Sequence, residues 1–195
     1  MNINELISNM EHYAKENNVP IMLNDGINYL TNYIKENNIK KVLEIGTAIG
    51  YSTIKIRNTG AYITSIERDE ERYKFALENV KLSKLDNINL ILGDALDVTI
   101  NDKYDLIFVD AAKGKNLEFI TKYKDNLNEG GIFIIDNVDF HGLVGKSNEI
   151  KSRNLRALVR KIEKFLNYLD NQNEYEVSKI NVGDGLIILR RCKDE

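Results

Sequence analysis

Apolar residues recur along this chain with two alternating periods. Over residues 3–16 and 24–36 they fall at helical spacing: Leu6, Ile7, Met10, Tyr13 and Ala14, then Ile27, Leu30, Tyr33 and Ile34. Such spacing gathers one face of a 3.6-residue turn and predicts two amphipathic helices. Residues 42–45 follow as a short apolar strand, then a glycine turn and a helix from about Tyr51. A second strand is predicted over 61–66, and a helix over 69–82 whose first residues, Asp69, Glu70 and Glu71, suit the positive end of a helix dipole. Residues 88–92, 106–109 and 132–135 read as buried strands, with a helix over 117–127 between the last two. A long amphipathic helix is expected over 149–169, and residues 175–180 and 186–189 form a hairpin-like pair around Val182-Gly183-Asp184-Gly185. Near-continuous apolar strands separated by helices imply an α/β fold, a mostly parallel sheet with helices on both faces. The closing hairpin would add one antiparallel strand. No internal repeat or interdomain linker interrupts the pattern, so residues 1–195 read as one domain, with residues 1–38 a helical lid or dimer surface.

Composition narrows the class without naming a function. At 195 residues the chain can bury a core without staples. Its 43% hydrophobic and 29% charged content is ordinary for a globular protein. No apolar run approaches the ~20 residues of a membrane helix, and the polar start lacks a secretory core, so a cytoplasmic protein is expected. Cys192 is the only cysteine, which excludes disulfides and cysteine-based metal sites within the chain.

The chemistry gathers after the strands. The first strand runs into Glu44-Ile45-Gly46-Thr47-Ala48-Ile49-Gly50-Tyr51-Ser52, and glycine in a strand-to-helix turn lets the backbone approach a ligand closely. Glu67, twenty-one residues after Gly46, closes the second strand, where a carboxylate can accept from both ribose hydroxyls. That geometry serves NAD as well. Gly46 and Gly50, however, match only part of the G-x-G-x-x-G pyrophosphate fingerprint, a looseness that a phosphate-free nucleoside such as S-adenosylmethionine tolerates. Asp94, after the third strand, is placed to meet an adenine. The competing structural reading makes Gly46 and Gly50 a plain turn and Glu67 a helix cap. Asp110-Ala111-Ala112-Lys113 and Asp136-Asn137 follow two further strands, whose carboxyl ends share one crevice in a parallel sheet. Asp110, Asp136 and Asn137 would offer the all-oxygen donors that Mg²⁺ prefers, and Lys113 a possible base. Read singly, Asp110 could be an N-cap and Asp136-Asn137 an Asx turn.

Residues 42–52, 107–114 and 130–138, with Gly183-Asp184-Gly185, resemble the motifs of the metal-dependent O-methyltransferase family that includes catechol O-methyltransferase. Within it the chain looks most similar to the bacterial tRNA 5-hydroxyuridine methyltransferases. The resemblance implies a seven-stranded, Rossmann-like sheet, S-adenosylmethionine, Mg²⁺ (or Mn²⁺) and a homodimer. It implies Asp110, Asp136 and Asn137 as metal ligands, with Lys113 and Asp110 catalytic. It also puts Glu44, Gly46, Thr47, Ser52, Glu67, Arg68, Asp94, Ala95 and Asp110 around the cofactor.

The acceptor is a separate question. Between Lys146 and Lys164 seven basic residues stand against two acids. Arg153, Arg156, Arg160 and Lys164 form one helical stripe, opposite Leu155, Leu158, Val159, Ile162, Phe165, Leu166 and Leu169. With Lys151, this stripe suits phosphate contacts and a tRNA acceptor at the wobble 5-hydroxyuridine, against the plainer reading of a solvated helix face. Lys115 and Asn116 depart from the residues common in the tRNA enzymes. The absence of Trp, with Ala112 at one such position, removes the aromatic gate of catechol-methylating relatives. A small hydroxylated aromatic is the alternative acceptor, and a non-catalytic nucleoside-binding protein the remote one. His141 could line an acceptor pocket or pack in a loop.

Overall fold

A computed structural model describes residues 2–139 and 142–192. Helices α1 (Ile3–Glu16) and α2 (Asn24–Glu36) lead into β1 (Lys41–Ile45), α3 (Tyr51–Arg57), β2 (Tyr62–Glu67), α4 (Glu70–Ser83) and β3 (Ile88–Leu92). Then come β4 (Tyr104–Val109), α5 (Asn116–Tyr123), β5 (Leu127–Asp136), α6 (Arg153–Asp170), β6 (Tyr175–Ile180) and β7 (Leu186–Arg191). The seven strands form one sheet in the order β3-β2-β1-β4-β5-β7-β6. Only β7 runs against its neighbours, as a hairpin partner must.

The central strands alternate strictly between two cores, because successive side chains leave opposite faces of a strand. Val42, Leu106, Phe108, Ile132, Ile134, Leu186 and Ile188 pack with α1, α2 and α3. Leu43, Ile45, Ile107, Val109, Phe133, Ile135, Ile187 and Leu189 pack on the other face with α5 and α6. Asn2 and Glu5 close the start of α1 reciprocally: Asn2 Oδ1 accepts from the Glu5 N–H at 2.9 Å and Glu5 Oε2 from the Asn2 N–H at 2.8 Å.

Several expected boundaries shift for identifiable reasons. The third strand is not buried: β3 lies at the sheet edge, and Leu92 is 45% exposed. The helix expected to reach residue 127 stops at Tyr123, passes through a 3₁₀ turn at Lys124–Asn126, and gives way to β5. That strand starts before Gly130-Gly131 rather than at Ile132, and it carries a register shift against β4, where Tyr104 faces Leu127 but Leu106 faces Ile132. The basic helix begins at Arg153, capped by the Ser152 hydroxyl, so Glu149 and Lys151 precede it; Ser147–Glu149 form a separate 3₁₀ turn. Among the described residues no helix is long and apolar enough to cross a membrane.

Candidate active site

The carboxyl ends of β1, β2, β4 and β5 and the turn before β7 surround a cavity of about 540 Å³. Its floor is the turn after β1. Gly46 has φ +105°, and a Cβ there would lie 2.1 Å from the Asp110 carbonyl oxygen. Only glycine lets the β1 and β4 chain ends run this close. The Gly46 N–H donates to Ile66 O (3.0 Å) and the Asp110 N–H to Ile45 O (3.0 Å), which ties the ends of β2, β1 and β4 together.

Glu67 sits at the end of β2, buried, with Oε2 accepting from the Ala48 N–H at 2.7 Å and Oε1 from the Asp69 N–H at 2.9 Å. The cap of α4 is Asp69, whose carboxylate accepts from the Arg72 N–H, so Glu67 is held in the cavity wall rather than capping the next helix. Gly46, Thr47, Ser52, Arg68, Asp94 and Ala95 line the same cavity. Asp94 accepts from the Leu96 N–H at 2.9 Å and lies 3.9 Å from Lys115 Nζ.

Glu44 departs from its expected place. It points toward α3 and does not line the cavity. Fully buried, it accepts from Ser65 Oγ at 2.5 Å and from Thr53 Oγ1, while Oε1 finds no hydrogen-bond partner. Burial pushes its carboxyl up to about 7, although the Ser52, Ser65 and Thr53 hydroxyls pull the other way. The period-2 alternation that turns Leu43 and Ile45 to one face turns Glu44 to the other. Its contact with the cavity runs through Ser52.

Across the cavity, Asp110, Lys113, Asp136 and Asn137 come together from the ends of β4 and β5. Lys113 Nζ donates to Asp110 Oδ1 at 2.7 Å. Asn137, in the left-handed region at φ +62°, donates through Nδ2 to Asp136 Oδ2 at 2.8 Å. Asp110 caps no helix, since the following 3₁₀ turn starts after Ala112 without a side-chain cap. Asp136 is 4% exposed; burial first, and then the charge of Asp110, raise its carboxyl to about 7, with Lys113 opposing. Two acidic groups held together at such burial call for positive charge, and two carboxylates with an amide oxygen are the hard donors that Mg²⁺ or Mn²⁺ takes. Among the described residues, no three His, Cys, Asp or Glu side chains converge as a metal-holding group; the oxygen donors at this end of the cavity are the two carboxylates and the amide of Asn137.

Four features of the site were not expected from sequence. Tyr51, Arg72 and Lys115 line the cavity, and so does Asp184 from the turn before β7. The sequence marks that turn by its glycines, but not where it lands. Pro20, Ile21, Met22 and Leu23 complete the wall, so the segment between α1 and α2 covers the pocket. The basic candidates stand apart: none of Lys151, Arg153, Arg156 and Arg160 lines the cavity. Arg156 Nε donates to Ile150 O at 2.9 Å and Arg160 to Asn148 Oδ1 at 3.1 Å, so these two hold the segment leading into α6. His141 lies outside the described residues, and His12 sits exposed on α1, 3.1 Å from Glu16.

Comparison with known proteins agrees with this geometry. A family model described as O-methyltransferase matches residues 2–192. A Staphylococcus aureus structure described provisionally as a caffeoyl-CoA O-methyltransferase is 35% identical, with a TM-score of 0.90 over 95% of this chain and 92% of that one. The Arabidopsis thaliana tapetum-specific methyltransferase 1 is 34% identical over 160 residues, 76% of this chain and 68% of its own length. The Podospora anserina methyltransferase PaMTH1, solved with bound S-adenosylhomocysteine, is 26% identical with a TM-score of 0.76 over 86% of this chain and 78% of that one. A glycine turn and a buried carboxylate on one side of the cavity, with an acidic pair and a lysine on the other, are thus set in a chain that belongs to the O-methyltransferase family and uses S-adenosylmethionine as methyl donor.

Proposed function

We propose that the protein methylates a hydroxyl of a small dihydroxylated aromatic, with a divalent cation held by Asp110, Asp136 and Asn137. The observation that carries this reading is the placement of those three oxygen donors and Lys113 in the same cavity as the cofactor turn. The caffeoyl-CoA enzyme named among the similar structures favours a small acceptor. The basic residues that would mark a tRNA acceptor lie off the cavity, and two of them are engaged in local hydrogen bonds.

A divalent cation at this position would favour the ionised form of an acceptor hydroxyl. Lys113 Nζ is placed in the cavity to receive the hydroxyl proton. The oxygen then forms a bond to the sulfonium methyl carbon as the carbon–sulfur bond breaks, and the pair of electrons stays on sulfur in S-adenosylhomocysteine. Glu67 and the Gly46 turn hold the donor while the β4 and β5 ends hold the acceptor, so alignment of oxygen, methyl and sulfur supplies much of the acceleration. The segment containing Pro20–Leu23 shields the reacting atoms from water.

The test is transfer of label from methyl-labelled S-adenosylmethionine, with Mg²⁺, to a catechol panel and, in parallel, to bulk tRNA lacking the methyl group. Label on the catechols that disappears with Asp136→Ala supports the proposal. Label on tRNA alone transfers the assignment to a nucleic acid, and no label on either refutes the transfer mechanism.

A further inference from the structure

Pro20, Ile21, Met22 and Leu23 line the cavity together with Tyr51 and the turn at Gly46, Thr47 and Ala48, so the segment between α1 and α2 stands over the donor. Its own ties are few. Among the described residues, Pro20, Ile21 and Met22 make no backbone–backbone hydrogen bond, and Leu23, 52% exposed, starts α2 without a side-chain cap. The helices on either side are anchored, with Leu6 and Met10 of α1 and Ile27 and Leu30 of α2 buried in the core. A short wall that lacks a hydrogen-bonded ladder, set between two anchored helices, is the part that opens at low cost.

One side chain reaches both of those helices. Tyr51 opens α3 directly after the donor turn, lines the cavity and is 2% exposed. Its hydroxyl donates to Glu11 Oε1 of α1 at 2.7 Å, and its oxygen lies 3.2 Å from Oδ1 of Asn24, the first residue of α2. Lys55 Nζ approaches the same oxygen at 3.4 Å and stands 5.3 Å from the ring centroid, which leaves the hydroxyl proton directed at Glu11. Burial first, and then Glu11, hold that hydroxyl above the ordinary tyrosine range, so it remains a donor at neutral pH. On the far side the segment meets the turn before β7: a Cβ on Gly183 would lie 3.7 Å from Leu23 Cβ and 3.5 Å from the Gly26 nitrogen.

We infer that Pro20–Leu23 is a lid which lifts for each exchange of donor and product, and that Tyr51 and Glu11 are positioning residues whose hydrogen bond latches it shut. The latch acts through the two helices that frame the lid. It sets how fast S-adenosylmethionine enters and S-adenosylhomocysteine leaves, and not the methyl transfer itself. The inference goes beyond the proposed function, because it rests on donor use alone and holds whichever hydroxyl accepts the methyl group.

Exchange is read by loading the protein with labelled S-adenosylhomocysteine and chasing with an excess of unlabelled ligand. Tyr51→Phe and Glu11→Gln are each expected to speed release about tenfold, since each removes or weakens a hydrogen bond to a carboxylate. The double variant should release no faster than Tyr51→Phe alone, because both changes act on the same bond. A second arm locks the lid. The separation of Leu23 and Gly183 suits a disulfide, so Leu23→Cys/Gly183→Cys in a Cys192→Ser background, oxidised after loading, should hold the label at least about a hundredfold longer and release it on reduction. Release within about twofold of wild type in both single variants, even with a lowered Tm, makes the cluster merely structural. Effects that multiply in the double variant separate the two residues, and equal release from the oxidised and reduced forms shows a wall that need not move. Each of these results overturns the inference, and none of them bears on the acceptor.

Discussion

Glu44 offers the sharpest quantitative test, because its burial converts directly into a pH-dependent stability. Its carboxyl rises from the ordinary 4.5 to about 7 because β1 carries it fully into the interior. An acid whose folded-state value is raised holds its proton more tightly in the folded chain than in the unfolded one. It therefore supports the fold fully at acid pH, and that support is lost as pH climbs from about 4.5 through 7. At 1.36 kcal/mol per tenfold change in proton affinity, the loss across this window is about 3 kcal/mol. Glu44→Gln keeps the shape but cannot ionise. It is expected to cost about 1 kcal/mol at pH 5, where an amide replaces a protonated acid among Thr53, Ser65 and Ser52. At pH 8 it should instead be more stable than wild type by about 2 kcal/mol. Urea denaturation of both proteins from pH 5 to 8.5 measures the difference, and other titrating groups, Asp136 included, cancel in it. A wild-type-minus-variant difference that stays flat with pH, or that grows in favour of wild type at high pH, refutes the assignment of Glu44 as a buried, largely protonated acid.

Other outcomes follow from the same geometry. Gly46→Ala places a methyl 2.1 Å from the Asp110 carbonyl at φ +105°, so it should lower stability by about 3 kcal/mol and weaken S-adenosylhomocysteine binding at least about tenfold, read by denaturation and calorimetry. Chelation by EDTA should abolish methyl transfer and added Mg²⁺ restore it. Asp136→Ala should lower kcat by about a hundredfold or more with cofactor affinity nearly unchanged; transfer at the wild-type rate in EDTA refutes the metal role. Lys113→Met should reduce kcat by about 10²- to 10⁴-fold, measured by label transfer at saturating acceptor. Tyr51→Phe removes the hydroxyl that donates to Glu11 Oε1 at 2.7 Å and Asn24 Oδ1 at 3.2 Å, and should cost about 1 kcal/mol in thermal unfolding while loosening the covering segment.

What the chain determined by itself is local. The alternation of Val42, Leu43, Glu44 and Ile45 is enough to announce a strand buried on both faces, because side-chain direction has a period of two whatever the surroundings. Gly46 and the residues after it announce a turn against which a ligand could rest, and Asp110 and Asp136-Asn137 announce chemistry because each follows such a strand. Which face Glu44 takes was not legible, since the alternation fixes relative directions and only packing against Thr53 and Ser65 chooses between the two cores. The basic stripe on α6 was legible as a charged face. That Arg156 and Arg160 hold the preceding segment depends on where Ile150 and Asn148 fold back. Asp184 was the least visible of the site residues. It is 48 positions from Asp136, and only the insertion of β7 beside β5 brings their strands together. Short-range periodicity sets elements; convergence of distant carboxylates on one cavity is set by strand order, which is a property of the whole packed sheet.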